Sequence, residues 1–187
     1  MNSSCIIGYG VVGKATGLAL GIKDYYDLVD STITLADAAK CSFVFICLPT
    51  PQADNGSCDT KTIEYIVQAI ITQAKKLKTE PIIIIRSTVP PGFNRKLQKL
   101  CGWKKIVSNP EFLSDDTWEM DARQPKLIVV GSDDMVSLEV ITSIYRGRYK
   151  YISPIMTDSV TAEHIKVVLN VWYAMKVLFA NEVFETM

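Results

Sequence analysis

Apolar residues recur along this chain in two alternating rhythms. Short unbroken runs at residues 5–7, 42–47 and 81–85 suit strands buried on both faces. Between them lie stretches with helical spacing. The clearest is 60–77, where Ile63, Ile66, Val67, Ile70 and Ile71 share one face. Further strands are expected at 25–29, 105–107, 126–131 and 149–152. Further helices are expected at 14–20, 35–40, 93–100 and 133–145. Strands alternating with helices predict an α/β fold, a Rossmann-like doubly wound parallel sheet over residues 1–156. The connection 108–125 is long for such a domain, and long connections are often functional. Residues 157–187 change character: a run without Gly or Pro carries Val160, Ile165, Val168, Val171, Trp172, Met175 and Phe179. Too apolar for a free surface helix, it is expected to begin a long connecting helix, with a homodimer through it as one candidate arrangement. It stops at Met187 without a cap or tail, which reads as a truncation.

Composition narrows the class. A hydrophobic share of 48% over 187 residues supports one large domain, or one domain and the start of another. Twenty basic and twenty acidic residues cancel, so neither a nucleic acid nor a membrane surface is an expected partner. The sequence shows no uninterrupted apolar stretch long enough for a membrane span, and Met1 to Ser4 lack the charged start of a signal peptide. Five cysteines without C-x-x-C spacing suggest a reduced, cytoplasmic protein with buried thiols, and no metal is expected.

The candidate chemistry starts where the first strand breaks. Gly8, Gly10 and Gly13 form G-x-G-x-x-G between a strand and a helix. Gly8 permits the tight turn, Gly10 admits a pyrophosphate to the backbone, and Gly13 lets helix and strand pack closely. Free N–H groups at the helix start favour the phosphates. Asp30, seventeen residues beyond Gly13 at the end of the second apolar run, stands where a carboxylate would hold the adenosine ribose. Its other reading is a turn residue. With no Arg following to receive a 2′-phosphate, NAD is favoured over NADP. In such sheets ligands bind beyond the carboxyl ends of the strands, which selects Gly8 to Gly13, Asp30, Thr50, Ser87, Thr88 and Asn109 to Asp115.

Five blocks then match one family in order: Gly8-Tyr-Gly-Val-Val-Gly13; Leu48-Pro-Thr-Pro51 with Gly56 and Asp59; Ser87-Thr-Val-Pro-Pro-Gly92; Asn109-Pro-Glu-Phe-Leu113 with Asp121, Pro125 and Gly131; and Ala162-Glu163 with Lys166, Asn170, Lys176, Asn181 and Glu182. The chain resembles the amino-terminal part of the UDP-glucose/GDP-mannose dehydrogenase family. The resemblance implies oxidation of a nucleotide sugar's C6 hydroxymethyl to a carboxylate with two NAD, through a cysteine-bound intermediate. It implies that Val12, Asp30, Thr50 and Thr88 contact NAD, and that Thr88 also helps hold a water. Glu111 resembles the acid/base carboxylate, and Asp115 stands where the family has a second, NAD-contacting Glu. Lys166 and Asn170 resemble the pair that steadies an oxyanion; their i, i+4 spacing puts them on one helix face. Outside that context Lys166 reads as a solvated lysine, and Thr50 and Thr88 as strand ends.

The chain departs from the family in four respects. The glycine-rich cysteine segment and its Asp partner are not in this sequence, nor is the domain that grips the nucleotide. Ser114-Asp115-Asp116 stands where the family has Arg-Glu-Gly, and the basic residue shortly after Asp30 is missing. The expectation is therefore an NAD-binding chain that does not complete the four-electron oxidation alone. A non-catalytic NAD-binding module and a relative of the β-hydroxyacid dehydrogenases are the alternatives.

Overall fold

A computed structural model describes residues 3–187. Seven strands form one sheet in the order β2-β1-β3-β4-β5-β6-β7. They are β1 (Ser4–Ile7), β2 (Tyr25–Tyr26), β3 (Phe43–Ile46), β4 (Ile82–Ile85), β5 (Ile106–Ser108), β6 (Val129–Gly131) and β7 (Ile155–Thr157). All neighbours run parallel except β5 and β6, which meet antiparallel at Ser108 and Gly131. The helices are α1 (Val11–Leu20), α2 (Leu35–Ala38), α3 (Lys61–Leu77), α4 (Phe93–Cys101), α5 (Trp118–Arg123), α6 (Met135–Arg148) and α7 (Ser159–Glu185).

The two-residue strand period divides the core into two layers. Ile7, Val44, Ile46, Ile83 and Ile85 face one side, where they meet Ile63, Val67, Ile70 and Ile71 of α3 and Leu97 of α4. Ile6, Phe45, Ile84, Val107 and Val130 face the other, against Leu138, Ile141 and Tyr145 of α6. Burial on both faces explains why β3 and β4 read as continuous apolar runs.

Three expectations need correction. The run 25–29 is a strand only at Tyr25–Tyr26, and Leu28 and Val29 are 92% and 95% exposed. There the chain turns at Asp27, whose N–H donates to the Ser31 hydroxyl while that hydroxyl donates back to the Asp27 carbonyl. The last strand is not 149–152 but Ile155–Thr157. Tyr149 closes α6 as its C-cap, its N–H donating to the Tyr145 carbonyl at 2.8 Å, so its backbone belongs to the helix end and not to the sheet. Asp158, between β7 and the last helix, caps α7 by accepting the Val160 and Thr161 N–H groups. The connection 108–125 also contains a short helix, α5, packed against α1.

The start of α7 is buried, but Val171 to Phe184 is largely exposed. By length and composition it is the one helix, among the described residues, apolar enough to cross a membrane. Its own Lys176 and Glu182 interrupt that apolar surface.

Candidate cofactor-binding and catalytic site

Sheet order reverses between β1 and β3, since β2 lies on one side of β1 and β3 on the other. A crevice beyond the strand ends at such a point is where α/β sheets bind ligands. A cleft of about 530 Å³ opens there, lined by Gly8, Gly10, Val12, Asp27, Cys47, Thr50, Ser87, Thr88 and Glu111 among others.

The glycines do different work. Gly8 has φ +91°, and a Cβ there would sit 2.7 Å from the Cys47 carbonyl oxygen. A Cβ at Gly13 would lie 2.1 Å from the Gly8 oxygen, so α1 touches β1 through that missing side chain. A Cβ at Gly10 would meet nothing within 4 Å. The space above Gly10 is open, and Gly10 starts α1 with no side-chain cap and no acidic residue in the first turn. The positive end of the helix is thus bare and faces the cleft, which suits a pyrophosphate.

The acidic residue at the tip of β2 is Asp27, not Asp30. Asp27 lines the cleft, and its Oδ2 accepts the Tyr9 N–H of the glycine loop at 2.7 Å. That backbone bond holds the Asp27 carboxyl below the usual carboxylate range. Asp30 lies outside the cleft lining and accepts the Tyr25 hydroxyl at 2.8 Å. Tyr25 in turn stacks on Tyr9 at 3.8 Å between ring centroids. Leu28 and Val29 carry the apolar run past the end of β2, which is why Asp30 and not Asp27 reads as the strand-end acid in the sequence.

Two hydroxyls tie the strand ends together across the cleft floor. Thr50 donates to the Thr88 carbonyl at 2.8 Å, and Ser87 donates to the Leu48 carbonyl at 2.6 Å. Cys47, just past β3, has its sulfur 3.7 Å from the Thr16 hydroxyl, and burial pushes its thiol up to about 11, which favours the protonated form.

On the far side, Glu111 and Lys166 form an ion pair at 2.8 Å, with side chains only 14% and 8% exposed. The other oxygen of Glu111 accepts the Leu113 N–H at 2.7 Å, and the Lys166 ammonium lies 5.6 Å from the Phe112 ring centre. Asn170 lies one turn beyond Lys166 and is exposed. Asp115 is exposed in the turn before α5 and does not line the cleft.

Sequence reasoning passed over Arg86 and gave no role to Glu163. Arg86 follows β4 and donates to Asn109 Oδ1 at 2.6 Å and to the Tyr145 hydroxyl at 2.9 Å. Asn109 also donates to the Val129 carbonyl at 2.7 Å, so this buried network anchors the loop that carries Glu111. The only available signal was an arginine directly after a buried strand.

Residues 24–148 match the family model described as "UDP-glucose/GDP-mannose dehydrogenase family, NAD binding domain". The chain is 33% identical to the GDP-mannose 6-dehydrogenase of Pseudomonas aeruginosa over 183 residues, covering 91% of this chain and 39% of that protein. It is 34% identical to a putative UDP-glucose 6-dehydrogenase of Bacillus subtilis over 177 residues, covering 89% and 40%. It therefore spans about two-fifths of the length of these relatives. Among solved structures, a ternary complex of the Pseudomonas aeruginosa GDP-mannose dehydrogenase superposes with a TM-score of 0.82 at 26% identity, covering 97% of this chain and 52% of that one. The UDP-glucose dehydrogenase of Pyrobaculum islandicum gives 0.82 at 25% identity, covering 98% and 52%.

Proposed function

The chain belongs to the UDP-glucose/GDP-mannose dehydrogenase family, and we propose on that premise that it is the NAD-binding part of a nucleotide-sugar 6-dehydrogenase. NAD is its cofactor. The cleft fits that cofactor in three respects: an open approach at Gly10, an uncapped α1 terminus, and a carboxylate at the tip of β2. When bound, NAD accepts a hydride from the alcohol or aldehyde carbon of the substrate.

Under this reading the α1 N–H groups hold the pyrophosphate and Asp27 accepts the adenosine ribose hydroxyls. The site residues of the protein then divide the proton work. Glu111 takes a proton from the reacting hydroxyl or from a water beside Thr88. Lys166, one turn from Asn170, supplies positive charge where an oxyanion develops, in a pocket that excludes most water. The observation that carries the reading is the nearly buried Glu111–Lys166 pair at the edge of the cofactor cleft.

The proposed substrate is a nucleotide sugar of the UDP-glucose or GDP-mannose type. Of the five cysteines only Cys47 lines the cleft, and burial keeps it a thiol. This chain is therefore proposed to bind NAD without completing the two-step oxidation by itself. The exposed apolar stretch of α7 supports a role as an interface, with a homodimer as the proposed arrangement.

Calorimetric titration of the purified chain with NAD and with NADP tests the reading. Saturable binding that prefers NAD is expected. Binding of neither nucleotide would overturn it.

A further inference from the structure

We infer that Glu163 is a positioning residue: by holding the first backbone N–H groups of α4, it sets Lys166 against Glu111 and fixes the loop that carries Thr88. The inference rests on the proposed roles of those three residues.

Glu163 is 2% exposed and sits on α7, one turn before Lys166 and on the same face. One of its oxygens accepts the Gly92 N–H, and the other accepts the Asn94 N–H at 2.8 Å. These donors belong to the first turn of α4, whose own N-cap is Gly92 with φ +90° and no side-chain cap. A helix start leaves such N–H groups unpaired, and a cap normally comes from the helix's own N-cap residue. Here it comes from a residue 69 positions away in sequence, so the cap also fixes where α7 lies.

The bonds reach backbone on both sides of the site. Gly92 is four residues past Thr88 in the short link from β4 to α4, so displacing Gly92 displaces Thr88. Lys166, three residues past Glu163 on a rigid helix, reaches Glu111 at 2.8 Å. Among the described residues no Lys, Arg or His lies within ion-pair distance of Glu163, so the backbone N–H groups are what offset the burial of its carboxylate. Burial pushes the Glu163 carboxyl up, while the bonds from Asn94 and Gly92 pull the other way. Arg95 also joins α4 to Asp133 and Asp158, but through its side chain, which leaves the first backbone N–H groups of α4 to Glu163.

Residue-specific reductive methylation of the full chain, read by mass spectrometry, tests the inference, with exposed Lys14 and Lys61 as references. Glu163→Gln keeps the shape but turns an N–H₂ group toward one backbone donor. Lys166 is expected to react about tenfold faster in this variant while the references hold steady, because the opening is local. Glu163→Asp keeps the charge on a shorter stem and is expected to fall between. Equal Lys166 rates in all three proteins would overturn the inference. A uniform rise at all three lysines would overturn it too, since that marks general loosening. If Glu163→Gln does not fold, the aspartate variant decides by the same comparison. Neither NAD nor a sugar enters this measurement, so failure to bind NAD would remove the proposed function and leave this answer standing.

Discussion

At the scale of single residues, the three glycines of the first loop are not equivalent, and substitution separates them. A Cβ at Gly13 would fall 2.1 Å from backbone, whereas one at Gly10 meets nothing within 4 Å. Gly10→Ala is therefore expected to change stability by no more than about 1 kcal/mol, the cost of a poorer N-cap. It fills the approach to the helix terminus, and NAD affinity is expected to fall about tenfold or more in a calorimetric titration. Gly13→Ala is expected to lose the cooperative fold of the wild type, seen by thermal melting, because rigid backbone stands in its way. The two candidate ribose carboxylates are separated in the same way. Asp27→Ala is expected to weaken NAD about tenfold, the value of a hydrogen bond to a charged group. Asp30→Ala, outside the cleft lining, is expected to stay within about twofold of wild type. The reverse order would restore Asp30 as the ribose residue.

At the scale of elements, the placement of α7 against the sheet decides whether Lys166 reaches Glu111. Gly131 of β6 and Ala162 of α7 touch so closely that a Cβ on Gly131 would lie 2.4 Å from that of Ala162. Gly131→Ala should push the helix outward and destabilise the chain by about 1–3 kcal/mol, measured by denaturant unfolding. A second clasp is electrostatic: Arg95 donates twice to Asp133, at 2.8 and 3.0 Å, and the Ser159 hydroxyl joins them at 2.9 Å. Arg95 holds the Asp133 carboxyl below the usual carboxylate range. The Thr161 hydroxyl does the same for Asp158. For a carboxyl whose folded pKa is lowered, the stabilisation is full above its unfolded value and fades as pH falls through the folded one. The thermal midpoint is therefore expected to drop as pH falls below about 4. Asp133→Asn should flatten that acid slope; an unchanged slope would show that the clasp contributes nothing.

At the scale of the whole molecule, the second half of α7 keeps its large apolar side chains largely exposed. Trp172 is 54% exposed, Phe179 71% and Phe184 80%. Apolar surface of this extent is what the proposed interface role of α7 rests on. Sedimentation should show self-association of the chain, and the double substitution Trp172→Glu with Phe179→Glu should shift it toward monomer. NAD affinity should not change, because both residues lie beyond the cleft lining. A chain that sediments as a monomer before any substitution would end the homodimer reading.

Much of the molecule was legible in its sequence because the deciding forces are local. β3 and β4 are buried on both faces, so their residues had to be continuously apolar. The glycine loop was legible because positive φ and close backbone approach exclude other residues. Glu111 and Lys166 were each singled out through family resemblance, but their ion pair was not anticipated, since 55 positions separate the two in sequence. What the tertiary structure decided lies at the edges and across the layers. At the edge, the Asp27 carboxylate just past β2 meets the Tyr9 N–H of the glycine loop 18 positions away, and Tyr149, closing α6, packs its ring into the second core layer. The role of Glu163 depends on α7 crossing the start of α4. A sequence records which residues can pair with their near neighbours, but only the folded chain selects which distant N–H group a buried carboxylate will meet.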